Sequence, residues 1–393
     1  MPTEAAFFFA GLLFVAAALG YVFARLGQLD DEQGKSGLDY VRGLKFILKE
    51  QPDRAIEALT GSGVLDEDTI ETHFALGQLF RRRGEVERAI RVHRDLLDRP
   101  QLPREQREQA QFELAEDYLG AGLFDRAESL LGELRNSQRF GVEALRKLVR
   151  LAELTREWER AVELRRALER ETGGASAHGE TSHYFCELAE QARAARDPGQ
   201  AAAWLDRADA GRQDSARVLF VRSAVASDQG DHDSAIRCLQ RLGEREPSLL
   251  VEVLPRLNAA CTAAGQPEVL SRYLASCIEK DPATARAVAF ATMLDARIAD
   301  QRALQSLWDF VAADQTLQLL VDQEKLQHAT AVERAQALER VRGALRAMAS
   351  AGRSYRCMEC GYSSITLQWQ CPGCAAWDTV RPRIRLAFAS SDR

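Results

Sequence analysis

The stretch HFALGQLFRRRGEVERAIRVHRDLL, from His73 to Leu97, contains the clearest structural pattern in this chain. Its first half contains the small residue Gly77 and the aromatic residue Phe80, and its second half contains the small residue Ala89. Small residues let two helices approach closely, and a large side chain beside them fills the remaining space. Gly84 lies between the halves and suits a sharp turn. The stretch therefore predicts two antiparallel helices joined by a tight turn.

This pattern recurs along the chain. The small residue of the second helix returns at Ala55, Ala89, Ala127, Ala161, Ala201 and Ala235, at spacings of 34, 38, 34, 40 and 34 residues. The two longer spacings hold insertions at Pro100–Pro103 and Thr172–Glu180, and later units around Leu270 and Leu304 are degraded. A period of about 34 residues is typical of tetratricopeptide repeats. We therefore predict an all-α tetratricopeptide superhelical solenoid over residues 39–350, with about seven to nine helix pairs, in preference to a non-repetitive bundle.

The composition fits a folded binding protein. Of 393 residues, 46% are hydrophobic and 28% are charged, which excludes a disordered or low-complexity chain. The net charge of −6 does not favour a sequence-reading nucleic-acid binder. A helical solenoid presents an extended concave surface that binds partners. The sequence contains no phosphate-binding loop, zinc-protease motif or serine-hydrolase elbow, so we predict no catalytic role.

The amino terminus carries an apolar run. Residues 5–24 (AAFFFAGLLFVAAALGYVFA) contain no charged side chain. Twenty residues in a helix span about 30 Å, the thickness of the hydrocarbon core of a bilayer. A cleaved signal peptide is the alternative, but Met1–Glu4 has no basic residue and the run is longer than such peptides use. We predict a transmembrane anchor over residues 1–26, followed by a juxtamembrane linker over 27–38.

The orientation of this anchor follows from its flanks. No basic residue precedes the apolar run, whereas Arg25, Lys35 and Arg42 follow it. Basic flanking residues remain on the cytoplasmic side of a membrane. The sequence therefore predicts a single-pass protein whose bulk lies on the cytoplasmic side.

Two cysteine pairs lie near the carboxyl terminus. Cys357 and Cys360 form the first Cys-x-x-Cys turn, and Cys371 and Cys374 form the second. Two such turns can present four thiolates at the corners of a tetrahedron, which suits zinc or iron. Two disulfides or a redox-active dithiol are alternatives, but disulfides are rare in the cytoplasm and two matched pairs favour a shared ion. We predict one metal ion bound by these four cysteines, in a small domain over residues 354–388.

The residues around the cysteines complete this domain. Four aromatic residues are predicted to form an apolar shell for a module too small to build its own core, namely Tyr355, Tyr362, Trp369 and Trp377. From Val380 to Phe388, apolar residues alternate with arginines, which predicts a strand with one basic face. That face is either solvated or in contact with acidic headgroups or an acidic partner.

Three further polar features are interpreted as structural. His93 lies at a packing position of a second helix, and Arg81–Arg83 ends a first helix in solvent, where its charge is favourable. His183 and Cys186 lie one helical turn apart and could ligate a metal, but the sequence offers no evident third ligand.

The whole chain resembles the lipopolysaccharide assembly protein B family of Gram-negative bacteria. The resemblance is carried by the stretches LGQLFRRRGEVERAIRVH, YLGAGLFDRAE and HYFCELA, and by YRCMECGY with CPGCAAW. The order of an anchor, a repeat array and a rubredoxin-like pair of cysteine knuckles covers nearly all of the 393 residues.

The resemblance implies an inner-membrane adaptor that regulates lipopolysaccharide synthesis. Such an adaptor promotes degradation of the lipid A pathway deacetylase by the membrane ATP-dependent metalloprotease FtsH, and gathers other lipopolysaccharide-synthesis proteins at the membrane. The resemblance also implies that Cys357, Cys360, Cys371 and Cys374 bind iron, by analogy with rubredoxin, although the ten-residue spacer makes zinc chemically as suitable. A membrane-tethered scaffold for another pathway and a rubredoxin-type electron-transfer module are the alternative functions.

Overall fold

The computed structural model describes residues 67–173, 178–211, 215–281, 284–295, 297–313 and 354–383, and a few positions between 330 and 343. The anchor predicted at 1–26, the linker predicted at 27–38 and the repeat residue Ala55 lie outside these ranges. In the part of the chain that is described, none of the helices is long and apolar enough to cross a membrane. The chain divides into two compact units between Gly173 and Gly174, and each is described by itself.

The first unit contains three helix pairs in its described residues. They are α1 (Glu67–Arg82) with α2 (Val86–Leu97), α3 (Arg104–Gly120) with α4 (Phe124–Leu134), and α5 (Gly141–Thr155) with α6 (Trp158–Thr172). Each helix packs on its pair partner, and α2 and α4 also pack on the first helix of the pair that follows. This arrangement is that of stacked tetratricopeptide repeats.

The second unit continues the helix pairs and ends in a small sheet. Its pairs are α7 (His178–Ala194) with α8 (Pro198–Gly211), α9 (Ala216–Asp228) with α10 (His232–Arg245), α11 (Leu250–Ala263) with α12 (Pro267–Lys280), and α13 (Thr284–Leu294) with α14 (Gln301–Ala313). A short 3₁₀ helix, Pro247–Leu249, precedes α11. The described residues of both units thus include seven helix pairs.

The predicted small residues of the second helices are all fully buried where the structure describes them. They are Ala89, Ala127, Ala161, Ala201 and Ala235. On the first helix, a Cβ atom added to Gly77 would lie 2.3 Å from Nε2 of His93, so the histidine ring occupies the space that the glycine leaves. The close packing predicted for the helix pairs is therefore confirmed, and so is the packing position of His93.

The turns in six of the seven described helix pairs share one backbone conformation. Gly84, identified from the sequence as a turn residue, has a φ angle of 79°, and Gly265 has a φ angle of 68°. Gly122 and Gly230 occupy the equivalent turns with similar angles. In two pairs the same place is held by a non-glycine residue, Arg156 at 60° and Arg196 at 61°. A left-handed residue ends a helix by satisfying its last carbonyl groups, so these arginines replace glycine at some conformational cost.

A buried polar network joins the first two repeats. Arg81 on α1 donates to the carboxylates of Glu113 at 2.5 Å and Asp117 at 2.6 Å, both on α3. Asp117 also lies 2.5 Å from Nδ1 of His93 on α2, and both of these side chains are fully buried. The prediction that Arg81 ends its helix in solvent was wrong, because its partners lie on the next repeat.

The small sheet at the carboxyl end contains three strands. Strands β1 (Ser354–Cys357), β2 (Ser363–Ser364) and β3 (Val380–Arg383) lie in the order β2-β1-β3, and both pairings are antiparallel. The predicted strand therefore begins at Val380, which is buried, while Arg381 pairs with Asp378 at 3.0 Å. We call residues 354–383 the ribbon.

Candidate metal centre

The first cysteine knuckle is a tight turn at the end of β1. The Gly361 N–H donates to the carbonyl of Cys357 at 3.1 Å, and the Cys357 N–H donates to the carbonyl of Tyr362 at 2.8 Å. Gly361 has a φ of 77°, which L side chains rarely adopt. The chain therefore turns sharply after Cys360, and this turn depends on glycine.

The second knuckle repeats this turn with a different residue. The Ala375 N–H donates to the carbonyl of Cys371 at 2.8 Å, and Ala375 has a φ of 61°. A Cβ atom added to Gly373 would lie 3.3 Å from Sγ of Cys360, so this glycine lets the second knuckle lie close against the first. Sequence reasoning did not assign this role to Gly373, because the contact joins two knuckles across their spacer.

The two knuckles bring the four predicted ligands together. Sγ of Cys357 lies 3.7 Å from Sγ of Cys374, and Sγ of Cys360 lies 3.6 Å from Sγ of Cys371. All four sulfur atoms lie within 4.8 Å of one another. A tetrahedral ion with metal–sulfur bonds of about 2.3 Å places its sulfur atoms about 3.8 Å apart. The arrangement therefore fits one tetrahedral metal ion with four thiolate ligands.

The surroundings of the sulfur atoms differ within each knuckle. Cys357 and Cys371 are buried, whereas Cys360 and Cys374 are exposed. One ligand of each knuckle therefore faces the interior of the ribbon and the other faces solvent. A buried anionic sulfur needs hydrogen-bond donors from the protein, because water cannot supply them.

The pKa values of two thiols in the cluster are shifted in opposite directions. The pKa of Cys357 is lowered to about 6, first by the backbone N–H of Cys360 and then by the hydroxyl of Thr379. The backbone N–H of Ala376 acts to lower the pKa of Cys374, but desolvation and hydrogen bonds with the other thiols raise it to about 12. Four neighbouring thiols therefore do not all ionise readily by themselves, and a bound cation supplies the charge that lets them do so.

The ribbon packs against first helices of the second unit. The indole ring of Trp377 stacks on the His183 ring, with centroids 5.0 Å apart and an interplanar angle of 11°. Trp369 meets Phe220 on α9 edge to face at 5.6 Å. The hydroxyl of Tyr355 donates to the carboxylate of Glu252 on α11.

Arg217 on α9 lies at the centre of this contact. Its guanidinium carbon is 5.1 Å from the ring centroid of Trp377 and 5.9 Å from that of Trp369. It also donates to the carboxylate of Glu187 at 2.5 Å, and only 2% of its side chain is exposed. Trp369 and Trp377 lie on either side of the second knuckle in the sequence, so one buried cation contacts the aromatic residues that flank Cys371 and Cys374.

The sequence-based prediction for the aromatic residues of the ribbon was incomplete. Trp369 and Trp377 were predicted to cover the ribbon itself, but both contact the repeats as well. His183 was considered as a metal ligand, and its ring stacks on Trp377 instead. The missed signal is periodic. Among the residues of α7, α9 and α11 that contact the ribbon, His183, Arg217 and Glu252 lie 34 and 35 residues apart. They therefore occupy the same position in three consecutive repeats.

Comparison with known proteins gives matches for the ribbon and for the whole chain. Residues 355–382 match the family described as "Rubredoxin metal binding domain". Lipopolysaccharide assembly protein B of Escherichia coli (strain K12) is 32% identical over 379 residues, which cover 94% of this chain and 96% of that protein. The protein of the same name from Haemophilus influenzae is 26% identical over 387 residues, with the same coverage. A solved tetratricopeptide repeat protein from Parabacteroides merdae is 12% identical, covering 69% of this chain and 98% of its own, with a TM-score of 0.34.

Proposed function

The chain belongs to the lipopolysaccharide assembly protein B family, and we propose that it is an inner-membrane adaptor that regulates lipopolysaccharide synthesis. The observation that carries this proposal is the ribbon docked on the repeats, in a chain whose relatives of that name match it over nearly its whole length. Helical repeats bind partners along an extended surface, and a tetrathiolate centre with no open position stabilises a fold. Both parts suit an adaptor better than an enzyme.

In this proposal the partners are the lipid A pathway deacetylase and the membrane ATP-dependent metalloprotease FtsH. The adaptor presents the deacetylase to the protease and so limits the supply of lipid A precursors, and it gathers other lipopolysaccharide-synthesis proteins at the same place. The anchor at residues 1–26 keeps the adaptor beside the protease. The substitutions Leu13→Asp and Val15→Asp together should release the protein from the membrane fraction, since each aspartate at a helix centre costs about 2.5 to 3.5 kcal/mol of insertion.

The first unit is the partner surface in this proposal. In the second unit the ribbon already contacts α7, α9 and α11, the first helices of three pairs. The corresponding helices of the first unit are α1, α3 and α5. Leu154, in the last turn of α5, is a large apolar side chain that is 51% exposed. Exposed apolar residues on a first helix suit the binding of a partner segment.

The metal in this proposal is a single structural ion held by Cys357, Cys360, Cys371 and Cys374. The sulfur–sulfur distances of 3.6 and 3.7 Å suit zinc and iron equally. The ion supplies the positive charge that neutralises the thiolates and links the two knuckles. Metal analysis of the purified full chain decides between the two elements, and an iron centre would also show reducible visible absorption.

The adaptor proposal is tested by recovery of partners from membranes. Tagged full-length chain, solubilised in mild detergent, should recover both FtsH and the deacetylase. Leu154→Ser should reduce recovery of the deacetylase, while Leu123→Ser, at an exposed leucine in the turn before α4, provides the matched control. Failure of the wild-type chain to recover either partner would contradict the adaptor proposal. Normal recovery by Leu154→Ser would place the partner surface away from α5.

A further inference from the structure

Thr379 contacts the metal centre from outside both knuckles. Its hydroxyl oxygen lies 3.3 Å from Sγ of Cys357, and its carbonyl accepts a hydrogen bond from the Met358 N–H at 2.9 Å. The residue immediately precedes β3, which pairs with β1. The hydroxyl is therefore held beside the first knuckle by the backbone of the sheet.

The hydroxyl hydrogen has two possible acceptors. One is Sγ of Cys357, and the other is the carbonyl of Ala376 at 3.4 Å. The Ala376 carbonyl already accepts from the Cys371 N–H at 2.9 Å. A metal-bound thiolate carries negative charge and has no proton to donate, and hydrogen bonds to charged acceptors are the stronger ones. When the centre is loaded, the hydroxyl therefore donates to the sulfur.

The hydrogen bond from Thr379 matters because the sulfur that accepts it is buried. Cys357 is only 1% exposed, so water does not solvate its sulfur as it can solvate those of Cys360 and Cys374. An anionic sulfur in that position is costly unless protein donors surround it. The backbone turn supplies N–H donors in any Cys-x-x-Cys knuckle, whereas the side-chain hydroxyl comes from Thr379, outside both knuckles.

We propose that Thr379 is a positioning residue of the metal centre, whose hydroxyl holds and stabilises the thiolate of Cys357. This inference rests on the proposal that the four cysteines bind a metal ion. Groups that orient metal ligands through hydrogen bonds typically contribute 10- to 100-fold in metal affinity when they are removed. The hydroxyl also withdraws electron density from the sulfur, so it alters the electronic spectrum of a bound transition metal.

The test compares three variants of the full chain. Thr379→Val removes the hydroxyl at nearly constant volume, and Thr379→Ser keeps it. Thr366→Val is the control, because Thr366 is an exposed threonine of the ribbon whose hydroxyl accepts from Gln368. Zinc affinity is measured by competition with a chromogenic chelator. Thr379→Val should bind zinc at least about 10-fold more weakly, while the other two variants remain near the wild type.

A second readout separates hydrogen bonding from packing. The same chains are loaded with Co²⁺, whose thiolate charge-transfer band responds to electron density at sulfur. Loss of the hydrogen bond should shift this band to longer wavelength in Thr379→Val and leave it in place in Thr379→Ser. Wild-type affinity and spectrum in Thr379→Val would overturn the proposal. Weak binding by both Thr379→Val and Thr379→Ser would also overturn it, because the methyl group would then be the important part. Absence of metal in the wild type would instead contradict the proposed metal function.

Discussion

Arg81 in the first unit and Arg217 in the second each join neighbouring repeats, but their partners differ. Arg81 on α1 binds two carboxylates of α3, Glu113 and Asp117, so every partner comes from the repeats themselves. Arg217 on α9 binds one carboxylate of α7, Glu187, and the carbonyl of His183, and its guanidinium also contacts two tryptophan rings of the ribbon. The first contact is complete without the ribbon. The second is completed by the ribbon, which we propose is stabilised by its metal ion, so metal loss should affect the two units differently.

Loss of a metal ligand should have the greatest effect, and it tests this difference directly. Cys371→Ser removes one of two buried ligands and leaves three thiolates around an open position. Structural metal binding in small modules carries about 10 to 16 kcal/mol of apparent free energy, so the ribbon should unfold. Hydrogen exchange should then increase in residues 354–383 and around Arg217, with α1 and α3 unchanged.

Metal content by mass spectrometry provides the check for that variant. The matched control is Cys238→Ser, at a half-buried cysteine of α10 that is not one of the four clustered cysteines. It should retain the metal and the exchange pattern of the wild type. If Cys371→Ser lost metal without faster exchange around Arg217, the proposed dependence of this contact on the ribbon would be wrong.

The next effect concerns the contact that needs no metal. Asp117→Ala leaves Arg81 with one carboxylate and leaves the buried His93 ring without its partner. Breaking a buried pair by removing one member typically destabilises by about 3 to 5 kcal/mol. Urea unfolding followed by far-UV circular dichroism should show an earlier transition, while metal content stays at the wild-type level. Asp125→Ala, at an exposed aspartate of α4, is the control and should change little.

A smaller effect is expected at the ribbon contact. Arg217→Met preserves much of the side-chain volume but removes the cation from between Trp369 and Trp377. Desolvated cation–π contacts contribute about 2 kcal/mol, and Glu187 remains 28% exposed, so its loss of a partner is partly compensated by water. Tryptophan fluorescence and limited proteolysis should show a loosened ribbon that still binds metal. Arg222→Met, on the same helix but paired with Asp206 and Asp209, should leave the ribbon unaffected.

Local patterns in the sequence predicted the helix packing and the four cysteines, but they did not predict the partners of Arg81 and Arg217. Ala89 and its periodic equivalents, and the four cysteines, are recognised by spacing alone, since their packing or ligation recurs within a short segment. The partners of Arg81 lie on the next repeat, and the tryptophan partners of Arg217 lie 152 and 160 residues further along the chain. Only the fold brings such residues together. The spacing of His183, Arg217 and Glu252, at 34 and 35 residues, could have indicated that they share one surface, but not that the ribbon covers it.

The smallest effect is expected in the turns between paired helices, which are alike in the two units. Arg156 and Arg196 hold the left-handed turn conformation that glycine holds in other pairs, one in each unit. A non-glycine residue in this conformation costs about 1 to 2 kcal/mol, while glycine adds about 0.5 to 1 kcal/mol of unfolded-chain entropy. Arg156→Gly and Arg196→Gly should therefore each stabilise their own unit by about 0.5 kcal/mol, measured by urea unfolding.

The reverse change, Gly122→Ala, meets no atom within 4 Å and should destabilise through strain alone, by about 1 kcal/mol. Equal shifts from Arg156→Gly and Arg196→Gly would show that the units differ through the ribbon contact and not through their turns. A loss of stability in either variant would show instead that the arginine side chain makes a compensating contact.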